Sequence, residues 1–267
     1  MTPVEVTRGD GPVVLGMPHT GTWLPEDVQA RLNARGRELA DTDWHVHRLY
    51  DGLLPGATVV RATFHRYVID ANRDPSGTSL YPGQPTTGLV PLTDFDGAPI
   101  WADPPGDADI AARRATYHAP YHAALQAELE RVRARRGVAI LYDCHSIRSV
   151  IPHLFDGLLP DFNIGTDGGV TCAPAVERAV QEICAGAQGY TSVLNGRFRG
   201  GWTTRHYGRP AEGLHAVQME LAQRTHLVDE TAGWRLDASK ADRLRPNLAR
   251  LLSALVEIAP ALTARSV

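Results

Sequence analysis

The sequence lacks the features that mark several protein classes. Its three cysteines, Cys144, Cys172 and Cys184, are too few and too scattered for a disulfide framework or a CxxC metal knuckle. A reducing cytoplasm is therefore the expected setting. No apolar run approaches the roughly 20 residues of a membrane-spanning helix. The opening MTPVEVTRGDGPVVLGMPHTG also lacks the basic and then apolar layout of a signal peptide. An excess of one charge is missing too: 27 Lys and Arg face 30 Asp and Glu, for a net charge of -3. That balance gives no reason to expect a nucleic-acid or membrane partner. HExxH is absent, which excludes a thermolysin-like protease, and the missing GxSxG elbow argues against an α/β-hydrolase. Neither GxGxxG nor GxxxxGK[ST] appears, so dinucleotide and P-loop nucleotide binding lack support.

What is present in excess is 11 His, 25 Gly and 19 Pro in 267 residues, which implies many tight loops and a supply of acid/base or metal-binding side chains. The length fits one large domain or two small ones. Short β-branched runs alternate with longer helical patterns. Strands are predicted over residues 11–16, 57–63, 67–70, 138–142, 190–194 and 214–221, and helices over 25–35, 108–136, 173–186 and 238–258. The helix over 108–136 carries a candidate break at Pro120. Its basic end, RVRARRG, reads as an ordinary helix C-terminus closed by Gly137. This order predicts an α/β fold with a mostly parallel central sheet flanked by helices. Residues 74–107 form a Pro- and Gly-rich stretch of the kind used as a lid or binding loop.

Ligands of such sheets bind beyond the carboxyl ends of the strands, and polar clusters stand at several of those ends. His19 follows the first strong strand inside PHTGT. Asp41 and Asp43 lie in DTDWHVH, where either could equally be a helix N-cap. Asn72 and Arg73 lie in DANRDP, where Arg73 offers a donor fork for a carboxylate or a loop-anchoring ion pair. The strand over 138–142 runs into Asp143, Cys144, His145 and Ser146, with Arg148 just beyond. Side-chain alternation puts Asp143 and His145 on one face. Glu220 ends the run LHAVQMEL as a candidate ligand or general base, while His215 and Gln218 suit hydrogen bonding. The segment 195–208, with Arg197, Arg199 and Arg205, could wrap an anion or form a basic surface hairpin. Two His, one carboxylate and no Cys pair make a catalytic zinc set the best match.

The strings PHTGTWLP, DTDWHVHRLYD, VIDANRDPSGTSLYPG, YHAPYHAAL, LYDCHSIRSVIP, FNIGTDGG, NGRFRGGWTTRHYGRP and LHAVQMELAQRTHL resemble the N-formylglutamate amidohydrolases of histidine degradation. The resemblance runs from about Pro12 to about Leu227 and implies a single domain over 1–267. It also implies a fold similar to the zinc carboxypeptidases, with a mixed eight-stranded sheet between helices. On the same basis His19 and His145 are the zinc-binding histidines, Glu220 the catalytic glutamate and Asn72–Arg73 the carboxylate clamp. The carboxypeptidase HxxE motif has Thr22 in place of its glutamate, and Glu26 reads as a helix-start residue, so Asp43 is taken as the third ligand. One Zn2+ is expected, with Co2+ or Mn2+ as alternatives, and Cys144 is expected to be a packed thiol.

The implied reaction is zinc-assisted hydrolysis of the formyl amide of N-formyl-L-glutamate to formate and L-glutamate. Glu220 takes a proton from water and hands it to the departing nitrogen, while Arg73 steadies the oxyanion or the α-carboxylate. A dianionic substrate needs at least two cations, for which Arg73, Arg148, Arg199 and Arg205 are candidates, with Asn72 and Tyr207 as neutral donors. Two other readings stand beside this one: another zinc-dependent N-acyl-amino-acid or carboxypeptidase-like hydrolase, and a non-catalytic binding protein on the same scaffold.

Overall fold

A computed structural model describes residues 2–79, 83 and 86–263. Its strands are β1 (Val4–Thr7), β2 (Val13–Met17), β3 (Thr58–Ala62), β4 (Ala139–Ile147), β5 (Phe162–Gly165), β6 (Ser192–Leu194) and β7 (Leu214–Ala222). They form one sheet in the order β1-β3-β2-β4-β7-β5-β6. The pairings β2–β3, β2–β4, β4–β7 and β5–β6 are parallel, and β1–β3 and β5–β7 antiparallel. The sheet is therefore mixed and mostly parallel, as expected, but it has seven strands among the described residues rather than eight.

The helices are α1 (Glu26–Arg31), α2 (Val46–Tyr50), α3 (Asp107–Arg113), α4 (Ala119–Arg136), α5 (Pro174–Ala185), α6 (Trp202–Tyr207) and α7 (Ala238–Ile258). Strand alternation divides the core between two faces. Val13, Leu15, Ile140, Tyr142, Val217 and Met219 pack toward α2, α5 and α7, whereas Val14, Val60, Leu141 and Ala216 pack toward α4 through Tyr121, Leu125 and Leu129. Each fully buried Leu or Val contributes roughly 1.5–3 kcal/mol. Among the described residues, no helix is long and apolar enough to cross a membrane.

Three expectations need correction. Tyr67–Asp70 is not a strand: Val68 N bonds back to His65 O in a turn, and Asp70 N reaches Leu89 O in the long loop. Those apolar residues are buried by packing under α4, with no strand edge beside them. The helix over 108–136 does not break at Pro120, which follows directly on helical residues and is accommodated there by a change of helix type. The irregularity lies earlier, in a π-helical turn at Arg114–His118. The segment 195–208 is not a hairpin, because its second half winds into α6. The basic end of α4 does close at Gly137, in left-handed conformation at φ 77°, whose N–H returns to Arg133 O. Of the predicted loop, residues 80–82 and 84–85 lie outside the described residues, and a helix starts at Asp107.

The π turn and α4 aim two imidazoles at one loop. His118 Nε2 donates to Arg73 O at 3.0 Å and His122 Nε2 to Ala71 O at 2.7 Å, bracketing Asn72. Burial pushes His122 down to about 3, with the nearby His118 adding to the shift. Unfolded, the same side chain titrates near 6.5. Between those values the unfolded chain binds one more proton, so stability present at neutral pH is lost as pH falls from about 6.5 toward 3. For His122 that loss approaches about 1.4 kcal/mol per pH unit. Urea unfolding at several pH values should therefore give His122→Gln a slope shallower by about that amount near pH 5. Equal slopes would show that His122 is already charged in the folded protein.

Candidate active site

The strands β2, β3, β4 and β7 run parallel, so their carboxyl ends open at one edge of the sheet. His19 follows the end of β2. On β4 and β7, Asp143 pairs with Gln218 and His145 with Glu220 across the ladder. These four polar side chains replace the apolar residues of the α4-facing surface at the strand ends. Asp143 and His145 share a face as alternation requires, with Asp143 Oδ1 at 3.2 Å from His145 Nε2.

His19, Asp43 and His145 converge, each buried, with one potential ligand atom apiece within 4.8 Å of one another. His145 Nδ1 is 3.0 Å from Asp43 Oδ2, and His19 Nδ1 is 3.7 Å from the same oxygen. The outer edges of both rings meet other carboxylates: His19 Nε2 donates to Asp70 Oδ1 at 2.7 Å, and Asp143 lies beside His145 Nε2. This is the arrangement of a metal-binding histidine, whose far nitrogen is oriented by a carboxylate while the near one presents its lone pair. The donors fit a divalent ion such as zinc, held by His19 Nδ1, His145 Nδ1 and Asp43. Thr22, at the HxxE position, and Glu26, in the first turn of α1, are both exposed.

The electrostatics agree with a cation site. Burial opposes the charge on Asp43, yet His145 at 3.0 Å, the adjoining His19 and the Arg66 charge hold its carboxyl well below the usual range. Burial also opposes a charged His145, but Asp143 and Asp43 outweigh it and raise its pKa well above the ordinary value. The same negative potential is what a divalent ion satisfies. Arg66 brings positive charge to this point: it donates to His19 Nδ1 and lies 3.4 Å from Asp43 Oδ1. Sequence reasoning missed Arg66, which lies in the short link between the runs over 57–63 and 67–70 read as strands; the adjacent pair His65–Arg66 was the available signal.

Glu220 stands beside the cluster. Burial pushes its carboxyl up to about 8, and the Asp43 charge adds to the shift. Gln218 orients it. The Gln218 Oε1 accepts from Gly201 N at 2.7 Å, so the amide nitrogen faces Glu220 and donates to Oε2 at 3.0 Å. Asn72 is fixed the same way: its Oδ1 accepts from Thr203 N at 2.9 Å, and its Nδ2 lies 3.2 Å from His145 Nε2. Of the two roles considered for Arg73, the loop anchor is the one its contacts show. It anchors a loop, donating through Nε to Thr87 O and through Nη2 to Thr87 Oγ1, each at 2.9 Å. It also lines the cleft together with His19, Arg66, Asn72, His145 and Glu220.

The other predicted substrate contacts lie elsewhere. Arg148 pairs with Asp96 at 2.9 Å and lines a different hollow. Arg199 is exposed, and Arg205 reaches Asp167 at 3.3 Å. Tyr207 is buried against His122, its hydroxyl donating to His122 O at 3.2 Å. The cation that segment 195–208 does send into the cleft is Arg197. Cys144 is buried, and burial raises its thiol well above the usual value, as a packed cysteine should behave.

Gly201 exists at its position because of Asn72: a Cβ there would lie 2.2 Å from Asn72 Nδ2. Gly201→Ala should therefore displace Asn72 and lower kcat/KM by at least about ten-fold, since small misplacements at a reacting centre are costly. Metal content should stay unchanged. Wild-type kinetics in this variant would mean that Asn72 has no role in substrate handling.

A model of the family described as N-formylglutamate amidohydrolase matches residues 11–227. An N-formylglutamate deformylase of Pseudomonas aeruginosa is 47% identical over 254 residues, covering 93% of this chain and 94% of the relative. One from Pseudomonas putida is 46% identical with the same coverage. The crystal structure of an N-formylglutamate amidohydrolase from Ralstonia eutropha superposes at a TM-score of 0.79 with 28% identity, covering 100% of both chains. A gene product of Agrobacterium tumefaciens, 21% identical over 97% of this chain and 96% of that one, shares the fold at a TM-score of 0.73.

Proposed function

Because the chain belongs to the N-formylglutamate amidohydrolase family, we propose that it hydrolyses the formyl amide of N-formyl-L-glutamate, releasing formate and L-glutamate, with zinc bound by His19, Asp43 and His145. The observation that carries this reading is the convergence of those three side chains beside the raised carboxyl of Glu220. His19, Asp43 and His145 would hold a divalent ion there, which when bound would supply Lewis acidity for the formyl carbonyl and the attacking water.

The chain's own groups do the rest. Glu220 takes a proton from the water on Oε1, since Oε2 is engaged by Gln218, and delivers it to the departing glutamate nitrogen. Arg66, which reaches Asp43 and must give up its contact with His19 Nδ1 when that nitrogen binds the ion, offers positive charge for the developing oxyanion. Asn72 and Arg73 hold the α-carboxylate, which lies one carbon from the scissile nitrogen. Asp70 and Asp143 keep the two imidazoles turned so that their Nδ1 atoms face inward.

On this reading the reaction belongs to histidine degradation in a reducing compartment, in keeping with three free, buried thiols at Cys144, Cys172 and Cys184. Formate release from a panel of N-formyl, N-acetyl and N-formimino amino acids tests the assignment. N-formyl-L-glutamate should give the highest kcat/KM. A higher value for an acetyl or formimino substrate would assign the site to a sister hydrolase instead.

A further inference from the structure

We infer that Arg197 is the specificity determinant for the distal carboxylate of the substrate, the group that distinguishes glutamate from a neutral amino acid of the same size. The inference rests on the proposed formylglutamate chemistry. A dianion calls for two cationic contacts, and among the described residues the cleft is lined by three arginines, Arg66, Arg73 and Arg197. Arg66 is buried against His19 and Asp43 and belongs to the reacting centre. Arg73 stands next to Asn72, where an α-carboxylate must lie if the amide is at the metal ligands. Arg197 remains for the far end of the side chain.

The surroundings of Arg197 suit that end. Ile147, Leu154 and Phe198 line the same cleft and offer an apolar wall to two methylene groups. The guanidinium is aligned by a bond from Nε to Leu154 O at 2.9 Å and lies 5.5 Å from the centroid of the Phe198 ring. Its loop is pinned on both sides. Asn195 exchanges hydrogen bonds with Thr166, at 2.9 Å to the Thr166 N–H and 2.8 Å to its hydroxyl. After Arg197, Asp167 N donates to Arg199 O at 2.6 Å and Gly201 N to Gln218 at 2.7 Å. A guanidinium held this way meets a carboxylate with little ordering cost.

The test compares N-formyl-L-glutamate with N-formyl-L-norvaline, which keeps the chain length and lacks the distal charge. Wild-type enzyme should prefer the glutamate substrate by more than about 100-fold in kcat/KM, the scale on which a site built for a polar group rejects its apolar analogue. Arg197→Met, which keeps the alkyl stem, should reduce that ratio at least about 50-fold. An unchanged ratio, even with both activities lower, would overturn the inference and leave Arg197 a structural residue. Should Arg197→Met not fold, Arg197→Gln gives the same comparison. Calorimetry with glutarate and butyrate provides the independent arm: the wild-type preference for glutarate should vanish in the variant, and its survival would overturn the assignment. If wild-type protein releases no formate at all, the functional proposal fails by itself, and the glutarate and butyrate comparison still decides Arg197.

Discussion

Glu220→Gln should lower kcat on N-formyl-L-glutamate by about 10²–10⁴-fold, the range typical of a lost general acid–base, while the protein keeps its metal. The substitution preserves shape, and the Gln218 amide can still donate to the new carbonyl oxygen, so the strand end should not rearrange. What disappears is a carboxyl that burial has pushed up to about 8, near the point where a group both accepts and returns a proton at neutral pH. Because Glu220 is not among the three converging ligands, zinc affinity should stay within a few-fold of wild type. Turnover above one-tenth of wild type would remove Glu220 from proton transfer. Loss of metal together with activity would instead make it a ligand.

The second large effect concerns Asp43→Asn. The variant keeps the volume of the buried side chain but removes the charge on which His145, His19 and Arg66 converge. Zinc affinity, read by competition with a chromophoric chelator, should fall by more than the about 10–100-fold that outer partners of a ligand usually cost. Asp70→Asn is the control. Asp70 accepts from His19 Nε2 and orients the ring without joining the three inner donors, so its loss should stay within that range. Equal effects of the two substitutions, or a larger one for Asp70→Asn, would exchange their roles. Activity should follow metal content in both variants and recover in part at high zinc.

Much of the fold was legible because its central strands are apolar runs that end abruptly in polar residues. Ala139–Ile147 and Leu214–Ala222 stand out this way, and their ends carry His145 and Glu220. Two short outer strands were not: Val4–Thr7, at one edge, is largely exposed, and Phe162–Gly165, beside the edge strand Ser192–Leu194 that the prediction over 190–194 does cover, has only four residues. The apolar run at Tyr67–Asp70 shows the opposite error, since burial under a helix and burial in a sheet leave the same pattern in so short a segment.

The site divides in a similar way. His19, Asp43, His145, Asn72 and Arg73 lie together in space because each sits in the last residues of a strand, just past one, or on a loop crossing the strand ends, a rule of position that sequence can apply. Arginines obey no such rule. A long, flexible side chain goes to whichever acid the tertiary fold brings near, so Arg148 ends on Asp96 and Arg205 on Asp167, while Arg66 and Arg197 enter the cleft. Tyr207 lies at the far end of the right helix: α6 buries its ring against His122, and the cleft receives the Gly201 end instead.

The most direct test is formate release from N-formyl-L-glutamate by protein of measured metal content, stripped with a chelator and then titrated with zinc. Activity should vanish on stripping and return in proportion to zinc, saturating at one ion per chain. Undiminished formate release from protein shown to hold no divalent metal would contradict the account at its centre.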